Sequence, residues 1–198
     1  MCNNNYKIQK LLDFGRLDEI GKLVHNTLVE SGHISSQSNQ HIDLYPHLNK
    51  IPETTILIAE LNGNIIGTNS ITLDNSFGLH TDYFFNEETN FIRAHESKIL
   101  GSSWRIATYH KYRKNIRLFL DLIQNTYFVA KEKHIETCLF VFDKKHEEFY
   151  KKLLDAETVT EKTCNIDSRI DIPMVLMRTD TNNSKKHLSK LFIRRKFY

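Results

Sequence analysis

Four basic side chains, Lys111, Arg113, Lys114 and Arg117, fall within seven residues just ahead of a long apolar-periodic segment. Their chemistry is anion recognition, of a phosphate or an acidic protein, and the same charges also serve simply to solvate a helix start. The last fourteen residues, KKHLSKLFIRRKFY, add six Lys or Arg and no acid. They outweigh the whole formal surplus of +3, so residues 1–184 carry about −3. Leu188, Leu191 and Phe192 fall at helical spacing in this tail, as in a helix lying on an anionic membrane surface. A solvated terminus is the plainer reading. His146 is a neutral imidazole able to take a proton, or a helix-capping residue. Tyr150 shares a helical apolar face with Phe149, Leu153 and Leu154, which reads first as core. Cys2, Cys138 and Cys164 match no CxxC spacing, so no metal site is expected, and a reducing compartment fits them.

These groups need a scaffold, and 198 residues suffice for one domain with a sizeable core. We read residues 1–184 as that domain and 185–198 as a basic tail. No apolar run is long enough to span a bilayer, and MCNNNYK has no signal-peptide core, so a cytoplasmic protein is expected, peripheral to membrane at most. Aromatic and basic residues do not interleave on a recognisable module, which argues against nucleic acid.

Asn62-Gly63 is a pair that tolerates positive φ and closes a hairpin between strands near 55–61 and 64–73. A first strand lies within 6–14, and Leu17, Ile20, Leu23, Val24 and Leu28 make a helix over 16–31. Residues 32–54 are polar and unpatterned, a long excursion of the kind that often carries function. A short helix over 84–97, a strand over 98–108 and a strong amphipathic helix over 112–133 follow. Ile135 to Phe142 reads as a strand covered on both faces. A helix over 146–154 and strands near 156–163 and 172–179 complete an α/β (α+β) chain with a mixed, mostly antiparallel sheet flanked by helices.

In this order the elements resemble the GNAT superfamily, and within it the bacterial long-chain N-acyl amino acid synthases, relatives of the acyl-homoserine-lactone autoinducer synthases. IAELNGNIIGTNSITLD followed by SFGLHTDYFF is similar to the family's Gly-Leu-Pro-x-Asp loop, with His80 at the Pro position. WRIAT resembles its Ser-Arg-Leu-Ala-Val strand. CLFVFDKKHEEFYKKLL resembles its Asn-Pro-x-His-x-x-Phe-Tyr-x-x-Leu block, IPMVLMRTD its final strand, and LVESGHI its acceptor-side helix.

The resemblance implies transfer of a long-chain fatty acyl group from a thioester to the amine of an amino acid or similar small molecule. It implies a central-strand bulge near Arg105, Ile106 and Ala107 whose backbone N–H groups, with Thr108, meet the thioester carbonyl. It makes Tyr150, Ser103 and Arg105 the catalytic candidates, with Tyr150 protonating the leaving thiolate. Gly78, Leu79 and Asp82 would form the acceptor loop, and Arg113, Lys114 and Arg117 would contact donor phosphate or carrier. Autoinducer-type synthesis and a non-catalytic acyl-binding module are the alternatives on the same fold.

Two departures bear on chemistry. Leu100 to Ser103 hold no carboxylate where the related synthases carry Glu, so amine deprotonation must fall to a water relay or another residue. YRKNIR at 112–117 has no Gly where a pyrophosphate loop needs close backbone approach. That disfavours coenzyme A and favours acyl carrier protein, acidic and bearing one phosphopantetheine. No tightly bound cofactor is then expected, only the acyl-phosphopantetheine thioester as co-substrate.

Overall fold

The computed structural model describes residues 6–35, 41–113, 116–165 and 170–182. Along these the chain forms β1 (Lys7–Lys10), α1 (Leu17–Glu30), β2 (Thr54–Leu61), β3 (Asn64–Leu73), α2 (Asp82–His95), β4 (Leu100–Thr108), α3 (Ile116–Glu132), β5 (Thr137–Asp143), α4 (Glu147–Leu154), β6 (Glu157–Asn165) and β7 (Asp171–Asp180). The sheet runs β1-β2-β3-β4-β5-β7-β6, antiparallel throughout except for β4 against β5. The turn between β2 and β3 holds Asn62 at φ 51° and Gly63 at φ 79°, the two left-handed residues a two-residue hairpin loop requires.

Alternation along the strands sorts the core into two layers. On one face, Ile20, Leu23 and Val24 of α1 pack on Ile56, Ile58 and Ala107. Phe85 and Ile92 of α2 pack beside them on Leu100, Leu139 and Leu176. On the other face, Leu120 and Ile123 of α3 join Tyr150 and Leu153 of α4 over Phe140, Val175 and Met177.

Several elements differ from the sequence reading. α3 starts at Ile116 rather than 112, because His110–Tyr112 closes as a separate 3-10 turn. α2 starts earlier, at Asp82, and bends at Phe85, whose backbone is non-helical. β4 and β5 begin at Leu100 and Thr137, two residues into the segments read as strands. The polar excursion carries a small core of its own, with Tyr45 and Leu48 buried against Trp104.

The expectation that β5 is covered on both faces fails at its end. Thr137 to Phe140 are buried, but Val141, Phe142 and Asp143 are half-buried. The cause is the sheet itself. β4 and β5 pair only through Leu100↔Thr137, Gly101↔Cys138 and Ser102↔Leu139. Beyond those pairs the two strands diverge and open a gap.

Candidate active site

The gap meets an irregularity in β4. Thr68 faces Ala107 and Ser70 faces Trp104, so Arg105 and Ile106 together oppose Asn69 alone. This is a β-bulge, which takes a residue out of the ladder and re-aims its neighbours. Arg105 carries the strain, with φ at 62°, a region an L-residue enters at a cost of about 1 kcal/mol.

The bulge breaks strand alternation, and that decides what faces what. Trp104 lies against Tyr45 and Leu48. Arg105 stays on that same side, where its guanidinium donates to Asn49 Oδ1 (2.7 Å) and Ser70 Oγ (2.9 and 3.2 Å). It also lies 3.8 Å from Asp43 and 4.4 Å from the Trp104 ring centre. Ile106 then turns to the α3/α4 layer and Ala107 to α1. Behind the bulge, Asn69 donates to Thr126 Oγ1 (2.6 Å) and shares hydrogen bonds with Ser103 Oγ (3.2 and 3.3 Å). These contacts satisfy the polar atoms buried there.

A cavity of about 710 Å³ fills the gap, a size typical of small-molecule sites. Its α3/α4 side is apolar, lined by Ile106, Phe119, Ile123, Phe142, Phe149 and Tyr150. Its α1/α2 side presents Tyr45, His80, Trp104 and Arg105, and, nearer the end of β5, His33 and Asp143. A smaller chamber of about 50 Å³ lies deeper on the α3/α4 side. It shares Ser103, Ile123, Phe142 and Tyr150 with the larger one and continues past Ile71, Cys138 and Phe140. The bulge is thus reached from both layers of the protein.

Of the residues singled out in the sequence, Ser103, Arg105, Ile106, Ala107, Thr108, Arg113, His146 and Tyr150 meet at this cavity. Gly78, Leu79 and Asp82 do not line it. Asp82 accepts from Leu79 N (2.7 Å), and Arg93 grips both Asp82 (2.7 and 2.8 Å) and Asp74 (2.8 Å twice). That double fork pins the loop, and His80 is its member that reaches the cavity. Arg117 points outward beside Asp121, at 3.5 Å. Arg113 pairs with Glu30 of α1 (2.7 Å). Lys114 and residues 185–198 lie outside the described residues.

Burial sets the charge states. It pulls Arg105 down to about 10, opposed by Asp43, so the guanidinium stays charged at neutral pH. Burial takes His80 down to about 3, leaving a neutral imidazole whose Nδ1 has no partner among the described residues. It pushes the Tyr150 hydroxyl upward, so Tyr150 holds its proton. For Asp143 burial alone would raise the carboxyl, but Lys145, the Lys145 backbone N–H and His33 together hold it at about 2.

Asn69, Asp43, Tyr45, His33 and Asp143 are site residues that sequence reasoning passed over. Asp43 and Tyr45 sit in the unpatterned excursion, and Asn69 looks like any strand residue. His33, Asp143 and Asn69 each lie inside a stretch that carries the resemblance, LVESGHI, CLFVFDKKHEEFYKKLL and IAELNGNIIGTNSITLD, but nothing in those stretches marks them individually.

A family model described as N-acyl amino acid synthase FeeM matches residues 19–180. No curated protein matches the chain by sequence. Among solved structures, FeeM, an N-acyl amino acid synthase from uncultured soil microbes, superposes at TM-score 0.75 and 19% identity, covering 92% of this chain and 94% of its own. The acyl-homoserine-lactone synthase LasI matches at 0.66 and 16%, covering 94% and 95%. The CoA-dependent acyl-homoserine lactone synthase BjaI, solved with SAM and isopentyl-CoA, matches at 0.66 and 12%, covering 93% and 90%. The fold is GNAT-like. Among the described residues, no helix is long and apolar enough to cross a membrane.

Proposed function

The chain belongs to the N-acyl amino acid synthase FeeM family and is an N-acyltransferase, and on that premise we propose that it moves a long-chain fatty acyl group from acyl carrier protein to the amine of an amino acid or similar small molecule. One observation carries this reading: a bulged strand at the divergence of β4 and β5, facing a cavity that is apolar on one side and polar on the other. The acyl chain suits the side of Ile123, Phe142 and Tyr150, and the deeper chamber extends it. The amine suits the side of Tyr45, His80, Trp104 and Arg105.

The thioester carbonyl then lies against the backbone of Arg105, Ile106 and Ala107, with Thr108 beside it. N–H groups freed by the bulge receive the negative charge that develops on oxygen. The neutral amine attacks the carbonyl carbon, a C–N bond forms, and the C–S bond breaks. The amine nitrogen loses a proton and the departing sulfur gains one. Arg105 holds the acceptor wall rigid through Asn49 and Ser70. Ser103 lies on the opposite, acyl side, where it is tied to Asn69 and through it to Thr126 of α3.

The donor follows from charge and loop chemistry. Arg113 lines the cavity entrance, and the glycine-free segment around it offers little backbone cradle for a pyrophosphate. A carrier protein needs only one phosphate held and an acidic surface met. The basic tail 185–198 supports the same kind of partner, or an anionic membrane surface.

The test is incubation with palmitoyl carrier protein or palmitoyl coenzyme A and pooled amino acids, followed by mass spectrometry. Fatty amides forming faster from the carrier protein are expected. Faster turnover from coenzyme A would overturn the donor assignment, and no amide from either donor would overturn the reading.

Tyr150 supplies a sharper check. Its ring stacks on Phe142 at 3.9 Å, and its hydroxyl has no hydrogen-bond partner among the described residues. Because burial strengthens its hold on the proton, it suits hydrogen-bond donation to the departing sulfur, with solvent delivering the proton. Tyr150→Phe keeps the packing and removes that hydrogen bond, so kcat is expected to fall about tenfold with little change in melting temperature. An unchanged kcat in acyl transfer would remove Tyr150 from the reaction.

A further inference from the structure

We propose that His33, oriented by Asp143, is the general base that takes the proton from the attacking amine. The inference rests on the acyltransferase reading and fills the gap left by the missing carboxylate at residues 100–103.

Both partners are held by backbone. α1 ends on Gly32 at φ 73°, with Gly32 N donating to Val29 O (3.0 Å) and His33 N to Leu28 O (2.9 Å). That hydrogen-bond pair is the Schellman closure, which satisfies the last helix carbonyls and fixes the chain leaving the helix. Asp143 ends β5, and its Oδ1 accepts from Lys145 N (3.0 Å), capping the next turn. Two rigid elements, 110 residues apart in sequence, thus bring His33 Nε2 to 2.9 Å from Asp143 Oδ2. Their side chains are 15% and 10% exposed, and both line the cavity.

The pairing decides the tautomer. An ionised carboxylate only accepts, so Nε2 carries the hydrogen and Nδ1 keeps its lone pair. Nδ1 has no hydrogen-bond partner among the described residues, so it is free to accept a proton from a substrate. Asp143 also stabilises the imidazolium once it forms.

The other titratable groups around the cavity serve less well. Glu30 is engaged by Arg113. Asp143 is held at about 2 by its partners and is too weak a base. His80 is held at about 3 by burial. His146 is lowered by burial and by Lys145, and no hydrogen bond among the described residues fixes its ring. Asp43 lies behind the wall, accepting from Asn49 Nδ2 (2.6 Å) beside Arg105. The charged groups around His33 are Asp143 of β5, Lys145 and His146 of the turn after it, Glu30 at the end of α1 and Arg113, which pairs with Glu30.

In the step, an ammonium substrate first loses one proton to solvent by way of His33. The neutral nitrogen attacks the thioester carbon, its second proton passes to His33 Nδ1, and the C–S bond breaks to release the thiolate. His33 then returns that proton to solvent, and the thiolate takes one up.

The experiment compares wild type, His33→Gln and Asp143→Asn in amide formation from palmitoyl carrier protein and pooled amino acids, from about pH 6 to pH 9. Gln keeps a donor for Asp143 but has no basic nitrogen. His33→Gln is expected to lower kcat/KM about 100-fold near pH 7. The deficit should narrow toward pH 9, where hydroxide can take the amine proton in place of His33. Asp143→Asn is expected to lower it about tenfold with the same narrowing. A folded His33→Gln with wild-type rates overturns the inference and leaves the acyltransferase reading intact, whereas a wild type that forms no amide overturns both. Should His33→Gln fail to fold, Asp143→Asn at wild-type rates overturns it equally. A loss constant across pH marks a structural role and overturns it too.

Discussion

Arg105→Ala is expected to destabilise the protein by about 3 kcal/mol, because it strips a buried hydrogen-bonding charge from its partners. The Arg105 side chain is 7% exposed. Its guanidinium spans Asn49 and Ser70 and lies over Trp104. Removing it leaves the buried Ser70 hydroxyl and the Asn49 carbonyl without a donor, and Asp43 without its counter-charge. Arg105→Gly loses the same contacts but fits φ 62° without a Cβ clash. It should therefore be more stable than Arg105→Ala by about 1 kcal/mol, the reverse of the usual order within a strand. Arg105→Lys should fall between wild type and Ala, since an ammonium cannot fork across both acceptors. Urea unfolding of the three variants measures all of this. If Ala proves more stable than Gly, the left-handed bulge at Arg105 is not a determinant of this strand. Acyl transfer should fall with each variant, because the same side chain sets the acceptor wall.

His80 gives the largest expected pH effect. It is 5% exposed and sits between Tyr45 and Trp104, with ring centres 5.7 and 6.3 Å away. An imidazole free in the unfolded chain titrates near 6.5, and burial takes the folded one to about 3. Between those values the unfolded chain binds more protons than the folded one, so acidification favours unfolding. Stability from this group is complete above about 6.5 and declines as pH falls toward about 3. The slope approaches about 1.4 kcal/mol per pH unit. From pH 6.5 to 5, above the carboxylate range, the loss is about 2 kcal/mol. For a chain of this size that is a fall in melting temperature of about 5 °C. His80→Gln should flatten the decline. Equal slopes in the two proteins over that window would show that His80 does not carry it.

Both predictions turn on residues whose type was visible in the sequence but whose setting was not. Arg105 was legible as part of WRIAT. Its left-handed backbone was not, because nothing about an Arg advertises positive φ. The conformation is imposed by the register between β3 and β4, where two residues face Asn69. His80 was legible as a departure from a loop pattern. Its neutrality depends on Tyr45 and Trp104, each brought to it by a different part of the chain.

Local pattern carried the framework. Asn62-Gly63 set the hairpin, because few other pairs accept two left-handed residues in succession. The apolar periodicity of residues 116–132 made a helix whose buried side had to meet a sheet. The order of strands and helices, with WRIAT and HEEFYKKLL in place, led to the right family. The family resemblance placed a bulge near Arg105 to Ala107, where β4 has one. Tertiary structure alone decided the rest of the chemistry at the gap: the halt of β4–β5 pairing after Ser102, the turn of Trp104 and Arg105 to one side, and the meeting of His33 with Asp143. The physical reason is separation along the chain. Hairpins and helices are set by neighbours within a few residues. A pair 110 residues apart exists only once the helix ahead of His33 has packed on the sheet that contains the strand ending at Asp143.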